Sequence, residues 1–152
     1  MKIKKHYADM PDLIQDEKGD CVDLYVCNID DGWHGDGSGR EYIRLMPNRE
    51  YIIDFGISVK QPEGYSMRLY PRSSAYKKHG LRLTNSVGII DHAYCGDNDV
   101  IKGIFTCDRE SVLYRYDRIA QFELVPIQPK LNFEYVDSLG NPDRGGYGST
   151  GS

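Results

Sequence analysis

The chain has 152 residues and a formal net charge of −4. This length fits one domain that can bury a core without disulfides. The acidic balance argues against a nucleic-acid partner, whose binding surface would normally be basic, and no apolar run approaches the ~20 residues of a membrane span. The N-terminal residues MKIKKHYADM contain no apolar core of a signal peptide, so we expect a cytoplasmic protein with reduced cysteines and no membrane partner.

The first half of the chain predicts short strands joined by turns and loops. Strands are predicted over residues 1–7, 21–27, 41–46, 50–60 and 65–70. The loop 28–40 contains three aspartates, but their spacing follows no metal-site pattern, so a flexible, solvated loop is predicted. Asp23 falls inside an apolar strand, where a buried and unpaired carboxylate is costly. A bulge or a water-facing edge position would explain Asp23 as readily as a functional role.

Residues 70–94 predict a strand end, a short helical turn and a hairpin. Pro71 ends the ladder pairing of the strand, and Gly80 can end the turn in a left-handed conformation. Between them, Ser73 and Ser74 can cap the turn with their hydroxyl groups. The helical turn is predicted near residues 74–79.

The same stretch predicts a binding site for an oxyanion. Arg72 and two serine hydroxyls precede a helical turn, where free backbone N–H groups point at the same place. The hairpin then delivers the carboxylate of Asp91, which is framed by Gly88 and Tyr94. An aspartate in a turn commonly does no more than cap its hairpin. The pattern nevertheless predicts a phosphate site followed by a candidate general base.

The second half of the chain predicts more short strands and then a mobile tail. Strands are predicted over residues 100–106, 111–116, 118–127 and 131–136. From Asp137 onward the chain is rich in Gly, Ser, Asp and Pro, as in a disordered C-terminus. The sum is an all-β domain of roughly ten short strands, closed as a double sheet or a barrel. We therefore expect a β domain over 1–136 with a flexible C-terminal segment over 137–152.

Five segments, taken in order, resemble the five motifs of the trimeric deoxyuridine triphosphatases (dUTPases). They are Gly19–Leu24 (GDCVDL), Pro71–Ser74 (PRSS), Gly88–Asp97 (GIIDHAYCGD), Asp117–Gln121 (DRIAQ) and Arg144–Gly151 (RGGYGSTG). The third and fifth segments are most similar to the Bacillus and phage branch of the family. The chain departs from the usual motifs at Cys95, where a basic residue is common, at Asp97, where Glu is common, and in its shorter fifth motif.

The resemblance implies a fold, an activity and an assembly. The fold would be a jelly-roll-like distorted barrel with one short helix, and the assembly a homotrimer in which three chains share each site. The activity would be hydrolysis of dUTP to dUMP and pyrophosphate. The implied cofactor is Mg²⁺, which would bind the triphosphate oxygens and keep waters toward the protein. In this scheme Asp91 would activate the attacking water.

The resemblance also implies roles for the residues of the second and third motifs. Arg72 and Ser73 would hold the triphosphate, and Ser74 would cap the turn and lend its backbone N–H. The base would be read by Asn85 together with the backbone near Ile89 and Ile90. Tyr94 would pack under the deoxyribose and clash with a 2′-hydroxyl. Without the family, Tyr94 would equally fit a core aromatic.

The remaining motifs would complete the site. Gln121 would contact phosphate, while Arg118 would either do the same or pair with an acidic residue. Asp23 would support the metal through water or position the tail arginine. The tail would close as a lid, with Arg144 on the γ-phosphate, Tyr147 over the uracil, and Ser149 and Thr150 donating to phosphate.

Two other readings remain open. A dCTP deaminase shares the fold and the PRSS motif, but that family needs a Glu on the strand after the third motif, where this chain has Val100, Ile101 and Lys102. A non-catalytic nucleotide-binding regulatory module on the same trimer is the other alternative. The presence of Asp91 and of the aromatic, glycine-rich tail favours the hydrolase.

Overall fold

The structure is a computed structural model that describes residues 1–145. Its elements are, in chain order, β1 (Lys2–Lys5), β2 (Val22–Tyr25), β3 (Asn28–Ile29), β4 (His34–Gly35), β5 (Glu41–Leu45), β6 (Arg49–Lys60), β7 (Tyr65–Pro71), α1 (Ser73–His79), β8 (Leu81–Leu83), β9 (Gly88–Ile90), β10 (Val100–Cys107), β11 (Ser111–Tyr114) and β12 (Arg118–Pro126). The predicted all-β class with one short helix is confirmed for these residues. No helix within residues 1–145 is long and apolar enough to cross a membrane.

Strand β6 organises the first sheet, which has the order β1-β6-β10-β8, with β3 also paired to β6. At the start of β6, Tyr51 and Ile53 are buried, whereas Ile52 between them is exposed. This period of two is the pattern of a strand with one face toward the core and one toward water. Phe55 of β6 meets Phe105 of β10 edge to face, with 6.5 Å between ring centroids. The core therefore lies against the inner face of this sheet.

Two further sheets complete the described residues, one with the order β11-β5-β4 and one with the order β2-β12-β7-β9. In the second of these, Gln121 of β12 stands opposite Asp23 of β2 on one side and Tyr70 of β7 on the other. Within residues 1–145 all three sheets are open, so the described strands do not form a closed barrel. The four-stranded sheet carries or borders four of the five motifs, all but the fifth.

Helix α1 begins directly after Arg72, whose φ of −73° and ψ of 152° are extended. Arg72 is therefore the N-cap residue, and no side chain caps the helix. The prediction that Ser73 and Ser74 cap the turn is wrong, because both residues already lie inside the helix. Gly80 ends the helix as predicted, with φ of +67° and its N–H donated to the oxygen of Tyr76 over 2.8 Å.

Two predictions about strands and loops need correction. The loop 28–40 contains the two-residue strands β3 and β4, which pair with β6 and β5. The strand predicted over 131–136 is absent from the described residues, where this segment is irregular and exposed. Leu131, Phe133 and Tyr135 alternate as in a strand but remain exposed. A strand needs an edge to pair with, and this segment has no pairing partner within residues 1–145.

Candidate active site

Asp23 on β2 lies between two guanidinium groups. Its Oδ1 is 2.9 Å from Nε of Arg72, and its Oδ2 is 3.2 Å from Nη1 of Arg118. Arg72 also donates from Nη1 to the backbone oxygen of Arg118 over 3.5 Å. The side chain of Asp23 is 22% exposed, so a carboxylate in this position needs the charge of its partners. Strand β2 is the edge of its sheet, which is one of the positions predicted for Asp23.

The four-stranded sheet determines how Asp23, Arg72 and Gln121 are arranged. Gln121 is the cross-strand partner of both Asp23 and Tyr70, so the three side chains project from the same face of the sheet. Arg72 follows β7 directly, and its backbone N–H donates to the oxygen of Ile119 over 2.8 Å. The backbone ladder therefore fixes where Arg72 and Gln121 stand relative to Asp23.

A cleft of about 670 Å³ opens beside these side chains. We call it the arginine cleft; it is lined by Asp23, Arg72, Arg118 and Gln121, together with residues of the acidic loop that precedes β2. Two guanidinium forks and an amide thus face one concave space. Such a donor set suits a polyanion, because each guanidinium can give paired hydrogen bonds to phosphate oxygens.

The two serines of the second motif lie at the start of α1, next to this cleft. Ser73 is exposed, and Ser74 is half-buried. Ser74 lines a second, polar cavity of about 290 Å³ together with Lys78. Arg72 and Arg118 line this cavity as well as the arginine cleft. The arginine pair therefore forms the wall between the two spaces.

A third cavity lies at the hairpin. We call it the hairpin cavity; its volume is about 300 Å³, and its lining includes Asn85, Ile89 and Ile90. Strand β9 is the edge of its sheet and pairs with β7 alone among residues 1–145. Its outer edge consequently carries backbone donors and acceptors that a planar base could meet.

Gly88 is required for the close approach of β9 to β7. It stands opposite Leu69 in the ladder, and a Cβ at this position would lie 2.9 Å from the Cβ of Leu69. Packed protein interiors do not accommodate so short a contact without movement of the backbone. The floor of the hairpin cavity therefore depends on a residue without a side chain at position 88.

Asp91 follows β9 directly, and it is exposed. Its backbone oxygen accepts the N–H of Tyr94 over 3.0 Å and the side-chain amide of Gln61 over 3.5 Å. Gln61 is only 7% exposed. No sequence pattern points to Gln61, because it precedes an ordinary turn and its contact with Asp91 is made only in the folded chain.

Tyr94 lies just beyond Asp91, and its hydroxyl donates to the oxygen of Val100 over 3.2 Å. Partial burial raises the pKa of Tyr94, and the nearby Asp99 and Asp54 carboxylates raise it further. The hydroxyl therefore stays protonated at neutral pH and keeps this hydrogen bond. Tyr94 is 42% exposed, so part of the residue is accessible to a ligand.

The predicted site residues fall into two groups in one chain. The group on the arginine cleft and the start of α1 is Asp23, Arg72, Ser73, Ser74, Arg118 and Gln121. The group on the hairpin and its exit is Asn85, Ile89, Ile90, Asp91 and Tyr94. The arginine cleft and the hairpin cavity have no lining residue in common. Arg144 is exposed and lines neither of them, and Tyr147, Ser149 and Thr150 lie outside the described residues.

The described residues offer no direct metal cage, since no group of three or more His, Cys, Asp or Glu side chains comes together there. Asp23 is the acidic residue closest to the arginines, and each of its oxygens has one guanidinium partner. A carboxylate oxygen can accept more than one hydrogen bond. Asp23 could therefore accept a further hydrogen bond from a water bound to a cation. Its two oxygens, each paired with a guanidinium, do not fit direct coordination of the cation.

Sequence comparison places these features in a known family. A dUTPase family model matches residues 38–152. The SPbeta prophage-derived deoxyuridine 5′-triphosphate nucleotidohydrolase of Bacillus subtilis is 35% identical over 154 residues, covering 100% of this chain and 99% of that protein. The deoxyuridine 5′-triphosphate nucleotidohydrolase of a Hydrogenobaculum species is 37% identical over 115 residues, covering 73% of this chain and 77% of that protein.

Solved structures show the same fold. A Staphylococcus bacteriophage 80alpha dUTPase variant with dUpNHpp superposes with a TM-score of 0.73 at 19% identity, covering 99% of this chain and 98% of that one. A variant dUTPase of phage phi11 of S. aureus, described with a structural Mg(II) ion, gives a TM-score of 0.68 at 16% identity, covering 91% and 97%. Together with the sequence matches, these findings confirm the predicted resemblance: the chain belongs to the dUTPase family.

Proposed function

We propose that the chain hydrolyses dUTP to dUMP and pyrophosphate, with Asp91 activating the water that attacks the α-phosphate. The observation that carries the proposal is the arginine cleft, where Arg72, Arg118 and Gln121 face one concave space. Family membership supports it, because the relatives that match by sequence are nucleotidohydrolases of deoxyuridine 5′-triphosphate.

The arginine cleft would hold the triphosphate. Arg72 and Arg118 would give charge-assisted hydrogen bonds to its oxygens, and Gln121 would donate its amide beside them. Ser73 would donate near the bridging oxygen of the departing pyrophosphate, where negative charge develops. Ser74 would contribute its backbone N–H. These roles agree with the exposure of Ser73 and with the shared face of Gln121 and Asp23.

The hairpin cavity would read the base. Uracil could meet the side chain of Asn85 and the backbone groups on the outer edge of β9, near Ile89 and Ile90. Cytosine carries an amino group where uracil carries O4, so it would leave buried polar groups unpaired. The ring of Tyr94 would pack under the deoxyribose, and an added 2′-hydroxyl would clash with it.

Asp91 would be the general base of the reaction. Its carboxylate would take a proton from water as the water oxygen bonds to the α-phosphorus and the bond to the bridging oxygen breaks. The exposure of Asp91 supports this role, because a water and the substrate must both reach it. Mg²⁺ would be held by the triphosphate oxygens, with Asp23 facing it through water, and would neutralise charge on the leaving pyrophosphate.

We also propose that the working enzyme is a homotrimer and that residues 137–152 form a lid on the domain 1–136. The arginine cleft and the hairpin cavity share no lining residue in one chain, which agrees with a site that combines surfaces of different copies. Leu131, Phe133, Tyr135 and Leu139 are all exposed and would be covered in such an assembly. In the lid, Arg144 would meet the γ-phosphate, Tyr147 would stack on uracil, and Ser149 and Thr150 would donate to phosphate.

Pyrophosphate release from dUTP, dCTP, dTTP and UTP in the presence of Mg²⁺ tests the proposed activity. We expect rapid release from dUTP and much slower release from the other three nucleotides. Ammonia release from dCTP would indicate a deaminase instead. Binding of dUTP without any turnover would indicate a non-catalytic nucleotide-binding module.

A further inference from the structure

We propose that Asp23 is a positioning residue that balances the charges of Arg72 and Arg118 and thereby weakens their hold on the pyrophosphate product. This inference rests on the proposed function, since pyrophosphate is the product of that reaction. It gives Asp23 a role that does not involve a metal ion.

The contacts of Asp23 carry the proposal. Each carboxylate oxygen has its own arginine, at 2.9 Å from Arg72 Nε and 3.2 Å from Arg118 Nη1. One carboxylate therefore bridges two cations that would otherwise repel each other across the cleft wall. It also occupies the kind of position, between two guanidinium forks, that a phosphate oxygen pair would take.

The partial burial of Asp23 and Arg72 makes the effect larger than that of an ordinary surface pair. Asp23 and Arg72 are 22% and 30% exposed, whereas Arg118 is 50% exposed. Charges that are partly shielded from water are screened less by solvent and salt than fully exposed ones. Arg118, the most exposed member, is the one that can turn toward an incoming anion.

The consequence concerns the charge of the cleft. With Asp23 in place, the two arginines and the carboxylate carry a net charge of about +1, and without it about +2. A pyrophosphate anion must compete with Asp23 for the guanidinium donors before it is bound. The carboxylate would therefore limit product affinity while holding both arginines in place for the substrate.

Asp23→Asn separates this role from support of a metal. Asparagine has nearly the same shape but keeps only one acceptor oxygen, so it removes the negative charge and frees one of the two arginines from its carboxylate partner. We expect the variant to bind inorganic pyrophosphate about 3- to 10-fold more tightly than the wild type in calorimetry with EDTA and no Mg²⁺. An unchanged or weaker affinity in EDTA would overturn the inference. A difference that appears only when Mg²⁺ is added would point to metal support alone.

Asp20→Asn is the matched control, because Asp20 lines the same cleft and has no salt bridge among the described residues. If removal of any negative charge tightened binding equally, Asp20→Asn would match Asp23→Asn and the inference would fail. Specific action through the arginines predicts a much smaller effect for Asp20→Asn.

A double-mutant cycle with Arg118→Gln tests the route of the effect and covers the case in which Asp23→Asn is poorly folded. Asp23→Asn should tighten pyrophosphate binding less in the Arg118→Gln background than in the wild type. Equal effects in both backgrounds would exclude action through Arg118. Should Asp23→Asn not fold, Asp23→Ser takes its place, with folding checked by thermal unfolding.

These binding measurements use pyrophosphate and not dUTP, so they are independent of the proposed reaction. A wild type that binds pyrophosphate as described but does not hydrolyse dUTP would contradict the proposed function, and with it pyrophosphate as a product. It would leave standing only the effect of Asp23 on the affinity of the two arginines for the anion. Conversely, if the wild type hydrolyses dUTP but Asp23→Asn leaves the pyrophosphate affinity unchanged, the proposed function stands and this inference fails.

Discussion

The side-chain amide of Gln61 donates to the backbone oxygen of Asp91 over 3.5 Å, linking the end of β6 to the candidate general base. The other end of this amide, Oε1, is buried and has no hydrogen-bond partner among the described residues. One weak hydrogen bond is thus made while one buried acceptor remains unpaired. The hydrogen bond stabilises the folded chain, whereas the buried, unpaired oxygen destabilises it.

We expect Gln61→Leu to keep or raise the free energy of unfolding, by up to about 1 kcal/mol, because it removes the unpaired acceptor at nearly the same volume. Urea unfolding measures this change. Gln61→Ala is the control: it removes the same polar groups but leaves a void, and it should be less stable than Gln61→Leu by about 1–3 kcal/mol. A Gln61→Leu protein that is clearly less stable than the wild type would show that the bond to Asp91 outweighs the unpaired oxygen.

Asp91→Asn should lower pyrophosphate release from dUTP by about 10²- to 10⁴-fold, because an amide cannot take a proton from water. Asp91 is exposed, so the variant should unfold at the same temperature as the wild type. Binding of dUTP, measured by calorimetry, should also persist. Turnover near the wild-type rate would mean that another group is the base.

Gly88→Ala should destabilise the protein by about 1–3 kcal/mol, since the new methyl group would force β9 away from β7. We also expect a higher KM for dUTP, because the hairpin cavity would change shape. Gly35→Ala is a suitable control, as a Cβ at Gly35 would meet nothing within 4 Å. Equal stability of the two variants in urea would contradict the tight approach at Leu69.

Removal of residues after Leu139 should reduce the turnover of dUTP sharply without unfolding the domain. Residues 140–145 are exposed, so their removal takes no buried side chain from the core. Circular dichroism and thermal unfolding would check the fold, and pyrophosphate release would check the activity. Full activity in the truncated chain would contradict the proposed lid.

Cys27 should contribute to the loss of stability at high pH. Burial, with the charge of Asp54 adding to it, raises the pKa of its thiol from 9.0 to about 12. Between these values the unfolded chain releases a proton that the folded chain keeps, so the free energy of unfolding falls as pH rises, by up to about 1.4 kcal/mol per pH unit. Below pH 9.0 the contribution of the buried Cys27 thiol to the free energy of unfolding is fully present.

The test compares urea unfolding of the wild type and Cys27→Ala at several pH values above and below 9.0. The variant should lose less stability with rising pH, whatever its stability at neutral pH. Cys95→Ser should behave as the wild type, because Cys95 is exposed. Parallel pH profiles for wild type and Cys27→Ala would rule out the thiol as a contributor.

Much of the fold could be predicted from local pattern. The run 50–60, bounded by turn residues at 47–48 and 62–64, predicts strand β6, and Gly80 predicts the end of α1. The strands β3 and β4 could not be predicted, because two residues carry no period and pair only once β6 and β5 are in place. The alternating residues 131–136 led to the opposite error, since a strand pattern does not specify an edge to pair with.

The candidate site, like the fold, could be predicted from the sequence only in part. Its motif residues could be named from their resemblance to a family, and the structure brings the cleft group and the hairpin group together separately. The bridge from Asp23 to Arg72 and Arg118 joins residues far apart in sequence, so no local pattern predicts it. Gln61 has no motif of its own and is found only through its contact with Asp91.

The absence of shared lining residues between the arginine cleft and the hairpin cavity has a kinetic consequence. If each working site takes one surface from each of two or more copies, specific activity will depend on the total protein concentration. Dilution below the dissociation constant of the assembly would then lower the rate per chain, and addition of an inactive Asp91→Asn chain would partly restore it, because that chain still has an intact arginine cleft.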